Sequence, residues 1–161
     1  MPFTPLHMGL GLTAKAAVPA QFSLLMFGLS QVAMDIQPLV AMTTGGAVEL
    51  HGLSHTIIGA TFIGLVCLPF RGLLGRLFKQ TINSRASVIG TFVGVYSHLL
   101  LDAIVHPDVS GSLFYPARIE SPLFGLLSWD GMTWLCGVLA ALGMMGLWRR
   151  GELGSAFGKA R

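Results

Sequence analysis

The stretch SHLLLDAIVHPD, residues 97–108, sets His98, Asp102 and His106 at every fourth position of an otherwise apolar run. On an α-helix that interval stacks side chains on one face. Imidazole and carboxylate together suit Zn²⁺, Mn²⁺ or Fe²⁺. A second pair at the same interval, His51 and His55, lies in HGLSH, and two donors four apart on one helix can ligate the same ion. His7 and Asp35 are further polar residues set among apolar ones. A charged side chain within a spanning helix costs about 2.5–3.5 kcal/mol on insertion scales. Each Asp therefore requires a partner, and a shared divalent metal, zinc first and manganese or iron next, is the simplest. Reach limits the set. Each step of four advances about 6 Å, so His98 and His106 stand about 12 Å apart along the axis, too far to grip one ion from an unbroken helix. His98 and Asp102 are the expected working pair, and His106, followed by Pro107, a helix end or a supporting residue.

The elements that must position these groups follow from composition. Of 161 residues, 53% are hydrophobic and only 11% charged, against roughly 25% charged in soluble domains. The mean hydropathy is +0.70. The apolar runs resolve into a short segment over 5–18 and long ones over 21–42, 54–70, 86–106 and 130–148, the latter close to the ~17–25 residues of a spanning helix. The expected fold is all-α: a polytopic integral membrane protein with four long transmembrane helices and a short N-terminal helix, one membrane-embedded domain over 1–161. Small residues in GATFIG and GVLAALGMMG allow close helix packing. Cys67 and Cys136 each sit inside an apolar run and read as packing residues rather than a disulfide or a thiolate zinc site. The N-terminus lacks the basic n-region of a signal peptide.

The basic residues give a formal charge of +3. Arg71, Arg76, Lys79 and Arg85 cluster in 71–85, and Arg149, Arg150, Lys159 and Arg161 in the tail. That pattern fits cytoplasmic membrane flanks rather than a nucleic-acid surface. With both basic segments inside, loops 43–53 and 107–129 face outward. At 1.5 Å per residue from each cytoplasmic end, His7, Asp35, His55, His98 and Asp102 fall roughly 17–24 Å deep. Five residues from four segments thus share one slab near the outer interface, with His51 and His106 a little further out. Singly, each has an ordinary reading: His7 a surface residue beside prolines, Asp35 an Asp bonded to a neighbouring helix together with Gln31, His51 a loop residue. Jointly they point to a metal site in which Asp35, His55, His98 and Asp102 converge and His7 and His51 form the rim.

The motifs TPLHMGLGL, AMDIQP, HGLSHT and YSHLLLDAIVHPD, continuing into GSLFYPARIESPLFG, resemble the YdjM-like family of inner-membrane metal-dependent hydrolases, itself distantly similar to zinc-dependent phospholipases C. The resemblance covers most of the chain. It implies localisation to a bacterial inner membrane and metal ligands at His7, Asp35, His51, His55, His98 and Asp102. The chain departs from the family at two places. Asp35-Ile36-Gln37 stands where the family has Asp-x-Asp, and His51-Gly52 lacks the family's Arg. Arg118 offers a substitute cation, with pairing to Glu120 as the alternative. The resulting expectation is a membrane-bound metal-dependent hydrolase acting on a phosphodiester or ester of a lipid or lipid-linked substrate near the outer interface. Asp35 and Asp102 are its candidate catalytic carboxylates. The alternative is a non-catalytic membrane subunit that keeps the hydrolase-like fold and serves a larger complex. A transporter fits less well, because the site lies off the midplane and no internal repeat is visible.

Overall fold

Side-chain caps set the start of each long helical segment. Ser23, Thr56, Asn83 and Ser128 accept from the backbone N–H of Met26, Gly59, Ala86 and Gly131 at 3.3, 3.0, 2.7 and 3.1 Å, satisfying donors that the first turn leaves open. In the computed structural model, which describes residues 4–45, 49–117 and 119–156, the segments that follow these caps are Leu24–Thr43, Ile57–Leu77, Ser84–Val105 and Trp129–Arg149, each long and apolar enough to cross a membrane. The described residues are helical with no strand. The chain is an all-helical polytopic membrane protein. Arg118, Lys159 and Arg161 lie outside the described residues.

The long segments differ from the expected uninterrupted runs. The first is two helices, α2 (Leu24–Met34) and α3 (Ile36–Thr43), joined at Asp35. Pro38 explains the joint: it has no N–H for the carbonyl of Met34, and its ring crowds that carbonyl. The second begins only at Ile57, after a 3-10 turn at Leu53–His55. It runs as α4 (Ile57–Cys67), a 3-10 turn over Leu68–Phe70 that contains Pro69, and α5 (Arg71–Leu77). Half of the anticipated basic loop 71–85 is therefore helical, because the apolar residues of RGLLGRL extend the segment past its first Arg. The third is a single helix, α6 (Ser84–Val105). The anticipated outward loop contains a further short helix, α7 (Pro107–Ser112), before the long α8 (Trp129–Arg149) and a last turn, α9 (Leu153–Ala156).

The short N-terminal helix α1 (Thr4–Ala17) packs along α8. Gly9 lies against the backbone of Cys136, and Gly143 against the backbone of Leu12 and Thr13, so a Cβ at either position would overlap main chain. The close approach lets Thr13 Oγ1 donate to the Leu139 carbonyl at 2.6 Å, the kind of interhelical bond that holds helices together where no hydrophobic drive acts between them. Helix α2 packs on α6 in the same way, with Gln31 Nε2 donating to the Gly94 carbonyl at 3.0 Å. Met34, Ala60, Val95 and Leu99 are buried between these helices. Cys67 and Cys136 are buried free thiols, the packing role expected for them.

Outward faces are apolar. Ile58, Phe62 and Leu65 of α4 are 60, 66 and 55% exposed, a stripe at helical spacing that suits lipid rather than water. Exposed Trp129 and Trp148 sit near the two ends of α8. Their nineteen-residue separation is about 28 Å at 1.5 Å per residue, close to the ~30 Å hydrocarbon thickness whose borders Trp prefers.

Candidate metal centre

Four elements deliver the polar residues to one end of the bundle. His7 comes from the start of α1 and His55 from the 3-10 turn ahead of α4. His98 and Asp102 come from the last two turns of α6, and Asp35 from the break between α2 and α3. Asp35 follows Gln31 by one helical turn, its N–H bonding the Gln31 carbonyl at 3.3 Å, and so shares the face turned toward α6. Its Oδ1 lies 3.3 Å from His98 Nε2. Asp102 is central. Its Oδ2 is 3.2 Å from His98 Nε2 and 3.3 Å from His55 Nε2, and its Oδ1 is 3.9 Å from His7 Nε2. Asp35, His55, His98 and Asp102 therefore converge as anticipated. His7 differs: it is 1% exposed, stacked edge-on against His98 with ring centres 4.6 Å apart, and belongs to the interior rather than the rim. His51, expected as a rim residue, is also buried, at 6% exposure.

The supporting contacts fix how the rings present their nitrogens. Gln31 Nε2 donates to the Gly94 carbonyl, so its Oε1 is the atom 2.7 Å from His98 Nδ1. An amide oxygen only accepts, which puts a proton on His98 Nδ1 and leaves Nε2, facing Asp35 and Asp102, to carry a proton or meet a metal ion. His55 Nδ1 is 2.8 Å from Ser54 Oγ. His51 Nδ1 donates to Asp108 Oδ2 at 2.7 Å, freeing its Nε2 likewise. Nε2 of His7, His55 and His98 are buried with no hydrogen-bond partner. Burying a polar atom unpaired costs roughly 1–3 kcal/mol. Lone pairs turned toward carboxylates make the arrangement costlier still unless a cation or proton lies between them. The donor set of imidazoles and carboxylates, with His51, His55 and His98 each held from behind, is what a metal ion requires. The buried His/Asp groups are able to hold a metal ion, as His7–His98–Asp102, Asp35–His55–His98 and His51–His55–Asp102, with ligand atoms in each group within 4.8 Å of one another.

Just outside the spanning segments, burial pushes the His55 and His106 imidazoles below their ordinary value, although Asp102 pulls each the other way. Both therefore keep a free lone pair at neutral pH. Burial acts most strongly on the Asp108 carboxyl and raises it, but the neighbouring His51 and His106 and a backbone hydrogen bond together outweigh it and hold the group below its ordinary value.

Two contributions were not visible in the sequence. Gln37, which reads as a lost carboxylate, instead accepts from Ser54 N–H at 3.1 Å and donates to the Glu49 carbonyl at 3.2 Å. It packs on Gly52, where a Cβ would strike its amide, and so anchors the loop that carries His51 and His55. Asp108 reaches His51 because Pro107 turns the chain after α6. A cavity of about 290 Å³ beside α7, lined among others by Pro107, Glu120, Ser121 and Phe124, includes none of the converging residues.

No family model matches the chain, no curated protein matches it, and no solved structure matches it.

Proposed function

We propose that this chain is a membrane-embedded, metal-dependent hydrolase whose site opens at the outer face of a bacterial inner membrane and acts on a phosphodiester or ester of a lipid-like substrate. The observation that carries the reading is the set of three buried, unbonded imidazole Nε2 atoms turned toward Asp102. His7, His55, His98 and Asp102 would hold the ion, with Asp35 beside them; zinc fits this donor set best, and manganese or iron also suit it. A divalent cation supplies Lewis acidity there, polarising an ester or phosphoryl oxygen and acidifying water. Asp102 is almost wholly enclosed, whereas the Asp35 side chain is 31% exposed. Asp35 is thus placed to take the proton of an attacking water, and Asp102 to orient the imidazoles. Gln31 holds His98 in the tautomer the ion needs.

Orientation follows from charge. Every described Lys and Arg, from Lys15 through Arg71, Arg76, Lys79 and Arg85 to Arg149 and Arg150, lies toward the end of the bundle opposite the site. Cytoplasmic flanks carry such an excess. Exposed Phe114, Tyr115, Phe124 and Trp129 surround the site end, where aromatic rings meet lipid headgroups. The resemblance to the YdjM-like family supports the same assignment.

One observation favours a second reading. Gln37 stands where that family has a carboxylate and is committed to the loop, which suits a non-catalytic subunit of a membrane complex that keeps the fold and a structural metal. Assay of purified protein against short-chain phospholipid and phosphodiester analogues separates the two. Turnover lost on Asp35→Asn with metal retained supports the hydrolase. Bound metal without turnover, together with a stoichiometric co-purifying protein, supports the subunit.

A further inference from the structure

The chain turns sharply where α6 ends. His106 precedes Pro107 and adopts extended backbone, φ −113° and ψ 117°, as the residue before a proline prefers. Its N–H closes α6 on the Asp102 carbonyl at 2.7 Å, and its own carbonyl opens α7 by accepting from Ser110 at 3.1 Å. The turn brings His106 and Asp108 to the same side, against His51. Asp108 Oδ2 is 2.7 Å from His51 Nδ1, the His51 and His106 rings are 4.4 Å apart, and the three residues offer ligand atoms within 4.8 Å of one another. The edge-to-face ring of Trp129, 4.8 Å from His106, covers the other side.

This group is continuous with the inner cluster yet chemically separable from it. The rings of His98 and His55 are 5.4 Å apart, and those of His55 and His51 are 4.8 Å apart, so the imidazoles form a file from the buried centre to His106. Exposure rises along the file, from 0% at His98 and His55 to 6% at His51, and to 51% for the Asp108 side chain. If His51 serves the outer group, His7, Asp35, His55, His98 and Asp102 remain for the inner one. His106 and Asp108, with no part in the inner cluster, then have a shared purpose.

We propose that His51, His106 and Asp108 hold a second, exchangeable divalent cation at the mouth of the site, the ion displacing the proton that His51 Nδ1 otherwise shares with Asp108 Oδ2. The inference rests on the metal-centre reading above and deepens it by naming the ligand class. Two divalent cations against the carboxylates of Asp35, Asp102 and Asp108 leave the mouth with net positive charge. Among the described residues no Lys or Arg lies at that end, and the second ion adds to the attraction for an anionic group, which favours a phosphoester within the proposed substrate class.

The test is zinc titration of the chelator-stripped, full-length protein in detergent, with bound metal read by elemental analysis. Wild type should take up two equivalents, the weaker released by brief chelation. His106→Ala and the milder, more exposed Asp108→Asn should each bind one equivalent with the tighter affinity unchanged, and their melting profiles should match wild type. Saturation of wild type at one equivalent, or two equivalents in both variants, overturns the second site and leaves the inner centre standing. Uptake of none by wild type overturns both.

Discussion

At the residue scale the decisive groups are those that hold the imidazoles rather than the imidazoles alone. Gln31 is fully buried and bonded at both ends of its amide, to the Gly94 carbonyl and to His98. Gln31→Leu keeps the volume but frees His98 to change tautomer. It should weaken metal affinity about 10–100-fold, the usual cost of losing such a support, and lower stability by about 0.5–1.5 kcal/mol through the lost hydrogen bond. Competition with a chromogenic chelator and thermal melting measure the two effects separately. Gln37→Leu should act differently, releasing the loop at Ser54 and Glu49 and weakening retention through His51 and His55, with little change in the melting of the helices. Much at this scale was legible, since a polar side chain in an apolar run must have a partner: His7, Asp35, His55, His98 and Asp102 meet as their depths along the helices required. Gln37 and Asp108 were not legible, because what they do depends on where a loop folds back, which no helical period encodes.

At the element scale, one break and one close approach shape the helices that meet at the cluster. Pro38 ends α2 just at Asp35, and sequence periodicity could not reveal the break, because a segment apolar on every face has no preferred side. The same uniformity hid the continuation of the second segment into α5. The close approach of α1 to α8 carries His7. Gly9→Ala places a methyl against the Cys136 backbone. It should cost about 1–3 kcal/mol, as overpacking typically does, and weaken metal binding by shifting His7, two residues earlier. Loss of stability without loss of affinity would show that His7 is not a ligand. The glycines themselves were readable as packing residues; which helix each one meets was not.

At the scale of the whole molecule, charge and aromatic placement give the bundle a direction, with described basic residues toward one end and the buried His/Asp cluster at the other. Both native thiols are buried, so an introduced cysteine can report on topology in intact cells. An impermeant maleimide added from outside should label Ser112→Cys and spare Gln80→Cys; the opposite pattern would move the site to the cytoplasmic face. If the buried imidazoles and carboxylates hold a metal ion, elemental analysis of the purified protein beside its His98→Ala and Asp102→Ala variants will find it. Wild type should carry at least one equivalent of a divalent transition metal that survives mild chelation, and both variants should lose it while His106→Ala retains it. Wild-type protein that is metal-free and takes up none, or a His98→Ala variant that keeps the tightly held ion, would contradict that role.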